Sequence, residues 1–149
     1  MHVASLLFSL LFLVQSSCSA ASVCEALDHR LEYNGKEIEI SGKLNAGTYT
    51  GFFVCENEHC DPCVNRWIFS WPSAILFLFE GESGKTLAAN VRQYVFQPVN
   101  VIVKGRLRTS SDYYVINLPW RKQRPLGRFE FGGVAAAITV SEIRFLEKR

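Results

Sequence analysis

The sequence V-I-V-K-G-R-L at residues 101–107 is the strongest indication of the fold of this chain. Successive side chains of a β-strand point to opposite faces of the sheet. One face of this stretch is therefore apolar, with a glycine among its residues. It comprises Val101, Val103, Gly105 and Leu107. The other face carries lysine and arginine, which is typical of a strand that covers a core on one side only. A glycine within a strand marks a bulge or a sharp bend, so we predict that this strand bends at Gly105.

A second stretch, I-E-I-S-G-K-L at residues 38–44, repeats the same pattern. Its apolar face comprises Ile38, Ile40, Gly42 and Leu44. A small barrel needs strands that curl and pair with a neighbour on each side, and glycine permits that curl. The two stretches together therefore predict a closed β-barrel, the alternative being a chance likeness between two ordinary strands.

Further elements follow from alternation and from cap and turn signals. Ser22 is predicted to cap a helix over residues 23–31, and a short helix is predicted over residues 87–94 after a turn. The run at residues 74–79 is apolar throughout and predicts a central strand that is buried on both faces. Other strands are predicted at residues 49–55, 113–118 and 135–146, the last with a break in its alternation that indicates a bulge.

The length of 149 residues allows one domain with a substantial core, and a hydrophobic content of 48% excludes a disordered chain. Residues 6–14 form an apolar run too short to cross a bilayer, and residues 15–22 are small and polar. We predict a signal peptide over residues 1–21, a single domain over residues 22–149, and export to the periplasm or the medium. No lysine or arginine precedes the run, which leaves a buried N-terminal helix as the alternative. Lipidation of Cys18 would attach the protein to a membrane.

Four cysteines follow the predicted signal peptide: Cys24, Cys55, Cys60 and Cys63. An even number of cysteines in an exported chain indicates two disulfides, for which three pairings exist. We predict the pairs Cys24–Cys60 and Cys55–Cys63. The alternative is a thiol or zinc site in the cysteine-rich loop, because the spacing Cys-x4-Cys-x2-Cys with His59 inside it suits a tetrahedral metal. An oxidising compartment favours disulfides, and no metal is predicted.

Several motifs together resemble a known group of proteins. They are the early Cys24, the turn Y-N-G-K at residues 33–36, a following strand that ends in glycine and leucine, a cysteine at Cys55 or Cys60, and the stretch at residues 101–107. The chain resembles small exported bacterial OB-fold-like proteins, a group of unknown function. The resemblance implies a mainly β fold: a five- to six-stranded OB-like Greek-key barrel with an N-terminal helix and one short helix between strands three and four.

The resemblance implies a binding role rather than a particular chemistry. OB barrels bind oligonucleotides, oligosaccharides or proteins on the face of strands two and three and on the adjoining loops. The predicted binding residues are Tyr49, Phe53, Trp120 and Arg121. We expect an exported, non-catalytic binding module for a protein, a glycan or a small ligand, with no cofactor. Neither His29 nor His59 is placed beside a nucleophile, so no enzyme is predicted.

Single-stranded nucleic acid is the alternative ligand. Basic residues are concentrated in the C-terminal half of the chain, where Trp120 stands beside Arg121, and an aromatic ring among cations can bind single strands. The net charge of +2 and the predicted export both argue against this partner.

Overall fold

The computed structural model describes residues 19–47, 51–63, 72–109 and 134–146. These ranges contain six strands and three helices. In chain order they are β1 (Ala21–Ser22), α1 (Val23–Asp28), α2 (Arg30–Tyr33), β2 (Glu37–Gly47), β3 (Gly51–Cys55), β4 (Ala74–Leu78), α3 (Gly81–Arg92), β5 (Val99–Thr109) and β6 (Ala136–Phe145).

Strands β2 to β6 close into a barrel. The antiparallel pairs are β2–β3, β3–β4, β6–β5 and β5–β2, and β4 pairs with β6 in parallel. Strand β1 is an extra strand that lies parallel to β2. With α3 between the third and fourth barrel strands, this is the arrangement of a five-stranded OB-like barrel, and the predicted fold class is confirmed.

The two glycine strands form the frame of the barrel, as the sequence predicts. Strands β2 and β5 each have 11 residues. Within the barrel β2 pairs with β3 and β5, and β5 pairs with β2 and β6. Gly105 of β5 lies opposite Ile38 of β2, and Gly42 of β2 lies opposite Val101 of β5. A Cβ on Gly42 would lie 2.5 Å from the carbonyl oxygen of Cys55, and a Cβ on Gly105 would overlap the carbonyl oxygen of Thr139. Both positions therefore need glycine because another strand passes too close for a side chain.

The predicted bulge of the last strand is present in β6. Lys104 lies opposite Glu142 and Gly105 lies opposite Val140, which leaves Ser141 as the extra residue. The hydroxyl of Ser141 donates to the carbonyl oxygen of Lys104 at 3.1 Å. The bulge increases the local twist of the strand pair beside Gly105, where the barrel curls.

The inner faces of the strands form one core. Its largest fully buried side chains include Ile40, Ile75, Val101, Val103, Leu107 and Ile138. Helices α1 and α3 contribute Val23 and Val91 to the same cluster, and both are fully buried. The helices therefore extend the barrel core instead of forming a second one. Within the described ranges, no helix has the length and apolar character needed to cross a membrane.

Two predicted helices differ in extent from the observed ones. The helix predicted over residues 23–31 is split at His29 into α1 and α2. The helix predicted over residues 87–94 begins earlier, at Gly81, where the sequence favours a turn. Gly84 packs within the first turns of α3, and a Cβ there would lie 2.8 Å from the carbonyl carbon of Phe79. This glycine therefore serves the close packing of α3 against the end of β4. Residues 1–18 of the predicted signal peptide, which include Cys18, and the strand predicted at residues 113–118 lie outside the described residues. Ala21, the last residue of the predicted signal peptide, belongs to β1 and lies opposite Ile40 of β2.

Candidate binding face

The outside of the barrel is apolar where β3, β4 and β6 adjoin. Alternation directs Ile75 and Phe77 of β4 into the core, so that Leu76 and Leu78 point outward. The outward residues pack together with Phe53 of β3 and Ala137 of β6. We call Phe53, Leu76, Leu78 and Ala137 the outer apolar face. Ala137 is fully buried, whereas Phe53 and the two leucines stay partly exposed.

One row of directly opposed residues crosses this face and ends in a cation. Phe53 lies opposite Leu76, Leu76 opposite Ala137, and Ala137 opposite Arg108 of β5. Opposed side chains on one face of a sheet lie within about 5.5 Å of each other at Cβ, so these residues are neighbours. The next row runs from Leu78 through Thr139 to Arg106. We call Arg106 and Arg108 the arginine edge.

The arginine edge differs in its charge balance from the neighbouring cations Lys104 of β5 and Arg144 of β6. Lys104 pairs with Glu37 at 3.3 Å, and Arg144 pairs with Glu39 at 3.3 Å. The side chains of Arg106 and Arg108 are exposed, and no ion pair between described residues includes either. Their positive charge is therefore available beside the outer apolar face.

The predicted binding residues fall partly within the described ranges. Phe53 of β3 lies on the outer apolar face. Tyr49, Trp120 and Arg121 lie outside the described residues. The sequence reasoning missed Leu76 and Leu78, because an all-apolar strand predicts burial on both faces. Their partial exposure corrects that prediction. Alternation along the strand predicts that Arg106 and Arg108 point outward. Only the register between β5 and β6 shows that they lie beside the outer apolar face.

Both disulfides are present, and the predicted pairing is wrong. The bonds join Cys24 to Cys63 and Cys55 to Cys60, with Cα–Cα distances of 5.5 and 5.0 Å. Cys55 ends β3, and a tight turn returns the chain to it. The side-chain oxygen of Asn57 accepts the backbone N–H groups of His59 and Asp61 at 3.1 Å each.

This turn brings Cys60 beside Cys55 and leaves Cys63 to reach α1. Spacing along the chain does not reveal the turn, and the predicted pairs Cys24–Cys60 and Cys55–Cys63 failed for that reason. All four sulfurs are bridged, so none of them is a thiolate ligand for zinc. Among the described residues, no group of three histidine, cysteine or carboxylate side chains is placed to hold a metal ion.

A shallow depression of about 240 Å³ lies away from the outer apolar face, beside the start of α1. Its lining includes Ser22, Lys43, Glu56 and Asn100. The carboxylate of Glu56 accepts the backbone N–H of Cys24 at 2.8 Å. This carboxylate therefore already serves to hold α1 against the loop that follows β3.

No family model matches the chain, and no curated protein is significantly similar to it in sequence. A function is therefore inferred from the geometry and charge of the outer apolar face and the arginine edge.

Proposed function

We propose that this protein is an exported, non-catalytic binding module that holds a partner protein on the outer apolar face and the arginine edge. The observation that carries this proposal is the row in which Phe53, Leu76 and Ala137 lead directly to Arg108 across four adjacent strands. A partly exposed apolar cluster with charged neighbours is the usual composition of an interaction site.

The chemistry of the face favours a protein segment as the partner. The described part of the face offers two leucines and one aromatic ring, Phe53. Bases of a single strand stack on successive aromatic rings, whereas leucines suit the apolar side chains of a protein. The guanidinium groups of Arg106 and Arg108 match carboxylates, with which they form paired hydrogen bonds. We therefore expect a segment that carries both apolar and acidic side chains.

The cysteines support the exported setting of this proposal. Two disulfides in one small domain fit an oxidising environment, because reducing compartments keep thiols free. The apolar run at residues 6–14 followed by small residues is the further argument for export.

The proposal is tested by selecting peptides from a random library on the immobilised, oxidised protein and measuring their affinities by fluorescence polarisation. We expect selected peptides to combine leucine or phenylalanine with aspartate or glutamate. Phe53→Ala and Arg108→Ala should each weaken their binding by about tenfold, the loss typical of a residue central to an interface. Ile102→Ala is the matched control, because Ile102 lies near the start of β5 between Ser41 and Arg144, whereas Arg108 lies near its end beside Ala137.

Two outcomes would contradict the proposal. One is a set of peptides whose affinity does not change in Phe53→Ala and Arg108→Ala. The other is tight binding of a labelled single-stranded oligothymidine, abolished by the same two variants and falling steeply with salt, while no peptide is retained. That result would assign the face to nucleic acid.

A further inference from the structure

The cysteine-rich loop contains a feature that the binding face does not use. Residues 60–63 read C-D-P-C, so that Cys60 and Cys63 have the Cys-x-x-Cys spacing. This spacing is typical of cysteines that form and break a disulfide with each other. In the structure, however, each is bonded to a different cysteine, Cys60 to Cys55 and Cys63 to Cys24. The two disulfides therefore meet at one short segment.

A direct bond between Cys60 and Cys63 lies within reach of this segment. Three peptide units span at most about 10 Å, and a disulfide needs Cα atoms roughly 4.4–6.8 Å apart. Only residues 60–63 have to adjust to satisfy that distance. Cys60 and Cys63 both lie outside the strands, so their bond does not require the core strands to move. Of the four cysteines, only Cys55 belongs to a strand.

The four cysteines differ in their exposure. Cys55 is fully buried, whereas Cys24, Cys60 and Cys63 are partly exposed. Of the two residues in the Cys55–Cys60 bond, Cys60 is therefore the one that a thiolate from solvent can approach, and Cys55 is the leaving group. The side-chain amide of Asn45 donates to the Cys60 sulfur at 3.4 Å. A donor in this position stabilises negative charge on that sulfur once the bond has opened.

The backbone at Cys60 also favours opening of the bond. Its φ is +52°, in the left-handed region that residues with a side chain rarely adopt. The bond to Cys55, the turn around Asn57 and a hydrogen bond from the N–H of Ser73 to the Cys60 carbonyl at 3.2 Å hold it there. When the bond to Cys55 opens, one of these restraints is lost.

We infer that Cys60 and Cys63 form a disulfide-exchange centre that responds to a dithiol reductant. One thiolate of the dithiol attacks the Cys60 sulfur and releases the Cys55 thiolate, which takes up a proton. The second thiol of the reductant attacks its own bridged sulfur, which releases the Cys60 thiolate and oxidises the dithiol. The Cys60 thiolate then attacks the Cys63 sulfur, forms the Cys60–Cys63 bond and releases Cys24 as a thiol after protonation. One dithiol is oxidised, and one of the two protein disulfides is lost.

The exchange releases α1 from the cysteine-rich loop. In the oxidised form, Cys24 at the start of α1 is bonded to Cys63. After the exchange, a described hydrogen bond still joins Cys24 to the loop. The N–H of Cys24 donates to the carboxylate of Glu56. The centre is therefore a reversible connection between α1 and the cysteine-rich loop.

The inference is tested on the full, oxidised chain in a Cys18→Ser background, because Cys18 and Cys24 share one tryptic peptide. The protein is exposed to increasing dithiothreitol, quenched with acid and alkylated. Trypsin, Glu-C and Asp-N together separate the four cysteines, since Glu56 lies between Cys55 and Cys60 and Asp61 follows Cys60. We expect the species with one remaining disulfide to contain Cys60–Cys63, with Cys24 and Cys55 alkylated. A species that contains only Cys24–Cys63 or only Cys55–Cys60 overturns the inference.

Two single variants give an independent measurement. Cys55→Ala leaves the Cys60 thiol beside the Cys24–Cys63 bond, and we expect part of this protein to carry Cys60–Cys63 with Cys24 free. Cys60→Ala is the matched control, in which Cys55 is the unpaired cysteine and Cys24–Cys63 should remain intact. Exclusive retention of Cys24–Cys63 in Cys55→Ala, in glutathione buffers of different ratio, overturns the inference.

Discussion

Gly105 and Gly42 determine how closely the barrel strands approach one another. At each position a Cβ would collide with a backbone carbonyl oxygen of an adjacent strand, Thr139 beside Gly105 and Cys55 beside Gly42. A backbone atom cannot move aside as the end of a flexible side chain can. Strands β2 and β5 can therefore curl in this way only because Gly42 and Gly105 have no Cβ atom.

Replacement of Gly105 by alanine should destabilise the protein by about 1–3 kcal/mol, the usual cost of an atom forced into a packed core. Urea unfolding followed by circular dichroism measures this loss. Arg106→Ala is the matched control at the next residue, where the side chain is exposed and the change should stay within about 0.5 kcal/mol. Equal stabilities of Gly105→Ala and Arg106→Ala would contradict the role of this glycine.

At the scale of elements, α1 has the capping arrangement that its sequence predicts. The N–H of Glu25 donates to the Ser22 hydroxyl at 3.1 Å, and the N–H of Ser22 donates to the Glu25 carboxylate at 3.4 Å. Helix α3 begins differently: its N-cap residue, Glu80, makes no side-chain hydrogen bond to the first turn. The start of α1 was therefore predictable, whereas the start of α3 depends on packing against β4.

Removal of the α1 cap should lower stability. Ser22→Ala loses the hydroxyl that accepts the Glu25 N–H, at a cost of about 1 kcal/mol. The same substitution at Ser83, an exposed residue within α3, should be neutral or slightly stabilising because alanine has the higher helix propensity. Thermal unfolding of both variants gives the comparison. A loss at Ser83 as large as that at Ser22 would show that the cap contributes nothing specific.

For the whole molecule, the two disulfides close loops of very different length. The cysteines of Cys24–Cys63 are separated by 39 residues, and those of Cys55–Cys60 by 5. A crosslink stabilises the folded state mainly by restricting the unfolded chain, and this effect grows with loop length. The longer loop also joins α1 to the barrel, so it constrains more of the chain.

Loss of the long-range disulfide should therefore cost more than loss of the short one. The chain-entropy relation gives about 4 kcal/mol for Cys24–Cys63 and about 2 kcal/mol for Cys55–Cys60. The double variants Cys24→Ala/Cys63→Ala and Cys55→Ala/Cys60→Ala, unfolded in urea without reductant, test this order. The reverse order would show that native-state packing around Cys55 outweighs the entropy of the unfolded chain.

The candidate binding face was only partly predictable. Phe53 was named as a binding residue because the resemblance to OB barrels implies a binding face on strands two and three. Leu76, Leu78 and Arg108 were not expected, because their neighbours belong to strands distant in sequence. The register between β4, β6 and β5 brings them together, and nothing local to residues 74–79 or 101–108 specifies that register.

Four features were predictable from residues close together in the chain: the two glycine strands, the cap of α1, the bulge in the last strand and the presence of two disulfides. Side-chain alternation, cap hydrogen bonds and a glycine requirement all act over a few residues, so they can be read from a short stretch. The pairing of the cysteines, the start of α3 and the set of outward residues that share a face became known only from the folded structure. The bond between Cys24 and Cys63 and the shared face depend on the approach of segments distant in sequence, which the closure of the barrel determines. The bond between Cys55 and Cys60 and the start of α3 depend on a tight turn and on the packing of Gly84 against Phe79, which spacing along the chain does not reveal.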